Sequence, residues 1–288
     1  MIFNSNSKIY LIACSNQLSL EYKPKFYKIV KILKDLNLDV TISSNIFKSD
    51  NLLSNGKVRA DDLNSAFKNK EITHIFDVSG GDLCNEMLPY IDFEIIKNSK
   101  ALYFGYSDLS VLLNSIYRKT SKKSFYYNIK TILTYNGLEN FKNTFLTGSY
   151  DMFSLWNYKW LLGSNIRGTL LGGNIRCTLK LAGTEYIPNF KNGKENILFL
   201  ESNSGDINKI RSFLAQYEML GIFSNISGLI LGEFTEINSK DQNKELEEIC
   251  INICKKYNIS LIKTCEIGHN PESKGIVIGG YYDIKKIS

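Results

Sequence analysis

Short apolar runs alternate with helix-length amphipathic segments throughout the first half of the chain. Strand-like runs occupy residues 8–14, 38–42, 73–78 and 101–104, and helical patterns occupy residues 23–35, 60–69 and 108–118. Parallel strands need crossover connections, and strands that alternate with helices are typical of a sheet covered on both faces. The pattern therefore predicts a doubly wound α/β domain with a mainly parallel sheet.

The periodicity fades at about residues 136–167, where aromatic side chains gather without a clean period: Tyr150, Trp156, Tyr158 and Trp160. Regular patterns then return, with helices up to about residue 181 and at 206–220 and 243–257, and strands at 196–200, 228–232 and 260–265. We divide the chain into an N-terminal α/β domain (1–140), a connecting segment (141–166) and a C-terminal α/β domain (167–288). The active site is expected between the two domains.

Composition excludes several classes of protein. The chain of 288 residues has a net charge of +6, but its lysines are spread along the sequence and form no nucleic-acid footprint. The apolar run at residues 9–14 is shorter than the core of a signal peptide or a membrane span, so a cytoplasmic protein without membrane association is expected. Six cysteines without a C-x-x-C pair indicate reduced core thiols.

Ser107 is the candidate nucleophile. It lies in Gly105-Tyr106-Ser107-Asp108, where a strand enters a tight turn and a helix begins directly after it, as in a nucleophile elbow. The N–H groups of the helix N-terminus would face a developing oxyanion. Leu109 stands where the second glycine of the G-x-S-x-G motif would be. The alternative is a serine that only caps the helix.

A general base and an acid are available at two other strand ends. His269 follows the strand at 260–265, whereas His74 begins an apolar strand and is expected to be structural. Glu201 ends the apolar run that starts at Ile197, where a carboxylate could orient an imidazole. Gly80 and Gly81 follow another strand, and their backbone could approach a ligand closely.

No metal or cofactor is expected. The two histidines form no H-E-x-x-H motif, and Cys250 and Cys254 lie on a predicted amphipathic helix without further ligands. The sequence also lacks a P-loop motif and a G-x-G-x-x-G motif after its first strand.

Taken together, the segments resemble the LD-carboxypeptidase family of serine peptidases over nearly the whole chain. The residues that carry this resemblance are Ser15, Arg59-Ala60-Asp61-Asp62-Leu63-Asn64, Gly80-Gly81, Leu88-Pro89-Tyr90-Ile91-Asp92, Gly105-Tyr106-Ser107-Asp108, Leu171-Gly172-Gly173-Asn174, Leu198-Phe199-Leu200-Glu201, Gly221-Ile222-Phe223, Gly228-Leu229-Ile230-Leu231-Gly232 and Gly268-His269. Tyr90-Ile91-Asp92-Phe93 and Ile116-Tyr117-Arg118-Lys119-Thr120 are more similar to the microcin-immunity branch than to the murein-recycling branch. Asp82-Leu83-Cys84 departs from the residues usual after Gly-Gly.

The resemblance implies a serine carboxypeptidase and a homodimer. It implies a Ser107–Glu201–His269 triad, an oxyanion hole made by the backbone of Asp108 and Gly81, and a substrate that is a murein L,D-peptide or a toxic peptidyl-nucleotide. The expected substrate-binding residues are Gly80, Asn174, Trp156 and Trp160. The alternatives are a ligand-binding protein without turnover and an amidohydrolase that uses Cys84 as its nucleophile.

Overall fold

The computed structural model describes residues 2–4, 6–48, 55–154, 157–190 and 194–286, and it contains two mixed, mostly parallel sheets. The strands are β1 (Lys8–Ile12), β2 (Asp39–Ile42), β3 (His74–Asp77), β4 (Leu102–Gly105), β5 (Ser124–Tyr126), β6 (Lys159–Leu162), β7 (Asn165–Asn174), β8 (Asn196–Ser202), β9 (Ile226–Phe234), β10 (Ser260–Lys263), β11 (Ile276–Ile278) and β12 (Tyr281–Lys285).

The N-terminal sheet has the strand order β11-β5-β4-β3-β1-β2. Its five strands from the first half of the chain are parallel, and β11 adds an antiparallel edge by pairing with β5. The predicted doubly wound N-terminal sheet is therefore confirmed. Its edge strand β11 comes from near the end of the chain, a contribution that the local sequence pattern did not predict.

The C-terminal sheet has the order β12-β7-β8-β9-β10-β6. Its four central strands are parallel, whereas β12 and β6 pair antiparallel with β7 and β10 at the two edges. The predicted second α/β unit is confirmed as well. The expected boundaries at residues 140 and 166 stay a prediction, although β6 lies inside the expected connecting segment.

Helices connect the strands and cover the sheets. They are α1 (Lys23–Asp35), α2 (Gly56–Lys68), α3 (Phe93–Asn98), α4 (Ser110–Thr120), α5 (Tyr135–Lys142), α6 (Ile175–Leu179), α7 (Ile207–Met219), α8 (Thr235–Ser239) and α9 (Asn243–Tyr257). Helix α5 lies largely in the stretch where the periodicity fades. None of the helices in the described ranges is long and apolar enough to cross a membrane.

The two sheets share one apolar core. A single cluster of buried side chains includes Ile12 and Tyr103 of the N-terminal sheet together with Ile166, Phe199 and Ile230 of the C-terminal sheet. Burial of apolar side chains is the main favourable contribution to folding. The shared core fixes the position of the carboxyl ends of β4 and β8 relative to each other, and the candidate site lies there.

Candidate active site

Ser107 occupies a strained turn between β4 and helix α4. Its φ angle is +57°, in the left-handed region that costs an L-residue roughly 1–2 kcal/mol. A short 3₁₀ helix, Ser107–Leu109, leads directly into α4. Strain of this kind concentrates at functional sites, because surrounding contacts must impose it.

Gly105 makes this turn possible. A Cβ atom at this position would lie 2.8 Å from Cδ1 of Leu109, so a side chain would collide with a buried neighbour. Leu109 replaces the second glycine of the G-x-S-x-G motif, and its side chain folds back over the first one. The turn therefore keeps the shape of a nucleophile elbow with a different packing arrangement.

His269 and Glu201 come from the C-terminal half and meet Ser107. Nε2 of His269 lies 2.9 Å from Oγ of Ser107, and Nδ1 lies 2.6 Å from Oε2 of Glu201. The carboxylate accepts hydrogen bonds, so Nδ1 carries the proton and Nε2 is left to accept the serine O–H. The structure thus joins the three residues in one hydrogen-bonded chain.

Glu201 is fully buried near the end of β8. Two side chains donate hydrogen bonds to Oε1, the oxygen that does not contact His269. Oε1 accepts hydrogen bonds from Oη of Tyr126 at 2.7 Å and from Nδ2 of Asn174 at 3.0 Å. Oδ1 of Asn174 accepts from the backbone N–H of Cys177 at the start of α6. Asn174 therefore holds the acid in place, and its expected contact with substrate stays a prediction.

Tyr126, at the end of β5, connects Glu201 with Ser107. Besides donating to Glu201, its hydroxyl accepts the backbone N–H of Ser107 at 3.0 Å. Burial raises the pKa of Tyr126 well above its usual range, so the hydroxyl keeps the proton that it donates. One phenol thus links the Ser107 turn of the N-terminal sheet to the carboxylate of the C-terminal sheet.

We expect Tyr126→Phe to weaken both stability and turnover. Losing the hydroxyl leaves the N–H of Ser107 unpaired, which costs about 1–3 kcal/mol of the free energy of unfolding. Misplacement of the serine lowers kcat by roughly 10- to 100-fold. Urea unfolding and steady-state kinetics measure the two effects. The matched control is Tyr127→Phe, because this buried neighbour bonds Oγ1 of Thr131 instead; a kcat loss equal in both variants would contradict the assignment.

The carboxylate of Asp108 is a buried hub behind the serine turn. Its Oδ2 accepts from Oγ of Ser15 at 2.7 Å and from the N–H of Cys84 at 2.9 Å, and its Oδ1 pairs with Nζ of Lys180 at 2.5 Å. Ser15 follows β1, Cys84 follows β3, and Lys180 follows α6. The hub therefore ties three loops of the site together.

The turn at Gly80 and Gly81 after β3, here called the glycine turn, is held from two sides. Oδ1 of Asn16 accepts the N–H groups of Asp82 and Leu83, and a Cβ on Gly81 would lie 2.4 Å from Cγ of Asn16. With a φ angle of +118°, Gly81 adopts a conformation that favours glycine. Arg176 forms an ion pair with Asp82. The unusual residue after Gly-Gly thus anchors the turn to the C-terminal half.

Trp156 and Trp160 are the two aromatic residues expected to bind substrate. Trp156 lies outside the described residues. Trp160 lies in β6 opposite Ile262 of β10, and its ring packs edge-on against Tyr158 with centroids 6.2 Å apart. The role of Trp160 in substrate choice stays a prediction. The adjoining Asn157 donates its N–H to Glu266, in the loop that carries His269.

The surroundings of Cys84 and His74 do not suit a catalytic role. The thiol of Cys84 is fully buried, and burial raises its pKa well above the usual range, which disfavours the reactive thiolate. His74 is buried in β3 and packs against Phe3, Phe76 and Phe104. Among the residues whose structure is described, no group of three or more His, Cys, Asp and Glu side chains could hold a metal ion.

The sequence analysis missed three contributors to the site: Asn16, Tyr126 and Lys180. Tyr126 ends a short apolar run after a helix, and its position at a strand end is a signal that could have indicated it. Asn16 follows the first strand in the same way. Lys180 looks like one of many surface lysines until the fold brings it to Asp108.

Comparison with known proteins identifies the family. The LD-carboxypeptidase N-terminal domain matches residues 9–127, and the LD-carboxypeptidase C-terminal domain matches residues 167–284. The chain belongs to the LD-carboxypeptidase family. The resemblance noted in the sequence is thereby confirmed. This LD-carboxypeptidase family protein contains both the N-terminal and the C-terminal domain of the family.

Two relatives span most of this family member. It is 29% identical over 276 residues to a "Putative carboxypeptidase" of Treponema pallidum, covering 85% of this chain and 80% of that protein. It is 24% identical over 281 residues to the microcin C7 self-immunity protein MccF of Escherichia coli, covering 86% and 81%. The relatives therefore include proteins named for two different roles.

Solved structures share the fold. An MccF-like protein from Bacillus anthracis superimposes with a TM-score of 0.84 at 23% identity, covering 100% of this chain and 95% of that one. MccF in complex with glutamyl sulfamoyl guanosine gives a TM-score of 0.83 at 19% identity, with 99% and 98% covered. At these identities the likeness establishes the architecture of this LD-carboxypeptidase family protein.

Proposed function

We propose that the protein is a serine carboxypeptidase that hydrolyses a peptide or amide bond through Ser107, His269 and Glu201. The observation that carries this proposal is the hydrogen-bonded chain from Oγ of Ser107 through the imidazole to the buried carboxylate. A nucleophile within reach of a base, which a third group orients, is the arrangement that activates a serine. Membership of the family supports the same assignment.

In the first half-reaction, Oγ of Ser107 attacks the scissile carbonyl carbon while Nε2 of His269 takes the serine proton. Glu201 stabilises the resulting imidazolium through Nδ1–H. The imidazolium then gives its proton to the leaving nitrogen, the C–N bond breaks and an acyl-enzyme remains. In the second half-reaction, a water molecule attacks the acyl carbon while Nε2 of His269 takes its proton. The bond between the acyl carbon and Oγ then breaks, the imidazolium returns the proton to Oγ, and the acid product leaves.

Backbone donors stabilise the tetrahedral intermediate in this proposal. The N–H of Asp108 lies in the first turn after the nucleophile, where backbone N–H groups lack intrahelical partners. Gly81 offers the second donor from the turn that Asn16 holds. Groups fixed before the reaction contribute more than groups that must reorient, and the Asp108 hub supplies this rigidity.

Two substrate classes fit the proposal. Relatives include a "Probable murein peptide carboxypeptidase" of Bacillus subtilis, and MccF has been solved with aminoacyl sulfamoyl nucleosides. We propose a murein L,D-peptide that loses its terminal residue or a peptidyl-nucleotide as the substrate. A homodimer is the proposed assembly, and sedimentation velocity tests it.

Labelling and turnover assays together test the function. A fluorophosphonate probe is expected to modify the wild-type protein at Ser107, because only an activated serine reacts at a useful rate. The same preparation is offered a murein tetrapeptide and a peptidyl-adenylate, and products are followed by mass spectrometry. A ligand-binding protein without turnover would bind one of them and neither label nor release product, and that result would reject the proposal.

A further inference from the structure

Lys130 is a partly buried lysine without a carboxylate partner among the described residues. The same is true of Lys122, but Lys122 donates to the backbone carbonyl oxygens of Ile96 and Ser99. Lys180, Lys263 and Lys274 have side chains only 10–19% exposed, and each pairs with a carboxylate at 2.5–3.0 Å. The ammonium of Lys130 has no carboxylate within 4 Å in the described part of the chain. Burial lowers the pKa of Lys130, because the ammonium is partly removed from water.

Aromatic groups surround this cation instead. Nζ of Lys130 lies 5.1 Å from the ring centroid of Tyr22 and 5.5 Å from that of Tyr106, and it donates a long hydrogen bond of 3.3 Å to Oη of Tyr106. Cation–π contacts hold an ammonium in place without neutralising it. The side chain of Asn128 caps the turn by accepting the backbone N–H of Lys130. The cation is therefore held in place without a direct ion pair to a described carboxylate, although Asp77 attracts it from a greater distance.

The position of Tyr106 connects this cation with the reacting atoms. Tyr106 directly precedes Ser107, and its ring centroid lies 5.6 Å from that of His269. A Cβ on Gly80 would lie 3.9 Å from Oη of Tyr106, so the hydroxyl lies over the glycine turn. The Lys130 ammonium and the backbone of Gly80 therefore both lie near the hydroxyl of Tyr106, and the ring of Tyr106 lies next to the imidazole of His269.

We propose that Lys130, together with the hydroxyl of Tyr106, forms a subsite for the anionic group on the leaving part of the substrate, with a terminal carboxylate as its ligand. The inference rests on the proposed function. In a peptide that loses its last residue, one carbon atom separates the scissile nitrogen from the terminal carboxylate, so an anion lies close to Ser107 by necessity. Burial raises the pKa of Tyr106 to about 12, so its O–H stays protonated and is free to donate to that anion.

Paired substrates test the subsite. The kcat/KM of wild type and of Lys130→Met is measured on a tetrapeptide with a free terminal carboxylate and on the same peptide with a terminal amide. We expect the variant to lose about 10- to 100-fold on the acid, as for a charge-assisted hydrogen bond, and to change less than threefold on the amide. A peptidyl-nucleotide with a phosphate-type anion forms the third arm. A selective loss on that substrate instead would assign the same cation to a phosphate ligand and overturn the carboxylate.

Control variants separate binding from structure. Lys130→Arg keeps a positive charge and should recover most of the activity on the acid, whereas Lys123→Met removes an exposed lysine from the same stretch of chain and should change nothing. An equal loss of Lys130→Met on acid and amide would show a structural role for Lys130 and overturn the subsite. Fluorophosphonate labelling of Ser107 distinguishes the two levels: wild type that neither labels nor cleaves would reject the proposed function itself.

Discussion

Ser107→Ala is expected to lower kcat by about 10⁴-fold or more while the fold stays intact, since the members of a catalytic triad act as a unit. The substitution removes Oγ, which lies 2.9 Å from Nε2 of His269, and with it the only atom that forms the proposed acyl-enzyme. The backbone of residue 107 keeps its hydrogen bond to Tyr126, so the turn retains its main contact. Steady-state rates and circular dichroism of both proteins measure the effect.

The matched control for this variant is Ser115→Ala. Ser115 is fully buried in α4, and its hydroxyl donates to the carbonyl of Val111 within the same helix. Removing that hydroxyl costs a comparable internal hydrogen bond without touching the reacting atoms. A Ser107→Ala enzyme that retained a third of wild-type activity would remove this serine from the mechanism.

Glu201→Gln is expected to lower kcat by about 10⁴-fold, the loss that follows when the acid of a serine-peptidase triad becomes an amide. The reason lies in the donors around Oε1. Tyr126 and Asn174 both donate to this oxygen, so the amide oxygen of Gln would occupy its place. The NH₂ group would then face Nδ1 of His269. The imidazole would have to accept at Nδ1 and carry its proton at Nε2, where it can no longer take the proton of Ser107.

Kinetics and labelling measure this effect together. The fluorophosphonate reaction of Glu201→Gln should slow in parallel with kcat, because both depend on proton removal from the serine. Glu233→Gln is the control, since Glu233 accepts from Nδ2 of Asn270 in the loop that carries His269 but does not contact the imidazole through a described hydrogen bond. Equal losses in the two variants would show that the charge near the loop matters and that orientation of the imidazole does not.

The sequence predicts the fold class because strands and helices alternate with distinct periods. Helices α1 and α9 begin and end at the predicted residues, since their apolar stripes are regular over more than three turns. Strands β5, β6, β11 and β12 were not predicted. β5 has only three residues, and the other three are short antiparallel edge strands. Edge strands take their pairing from distant parts of the chain rather than from local pattern.

The residues of the candidate site likewise fall into two groups, those that local sequence marks and those whose role depends on the packed fold. Ser107, Glu201 and His269 each follow or end a strand with chemically distinctive side chains, which makes them visible one at a time. Tyr126 acts through two hydrogen bonds that exist only after the two sheets have packed, and Lys130 is distinguished by its contacts with the rings of Tyr22 and Tyr106. Neither relation can be expressed by residue type and spacing alone.

Strand β11 has a consequence for the order in which the protein is made. The loop with His269 precedes β11 directly, and β11 completes the sheet that carries Ser107 by pairing with β5. A ribosome makes β11 after the other five strands of this sheet, so a nascent chain that has just completed β5 has neither His269 in place nor the edge of its first sheet closed. Under the proposed mechanism, the nascent chain is inactive until the segment with His269 and β11 has emerged, and a chain that stops before this segment lacks both features at once.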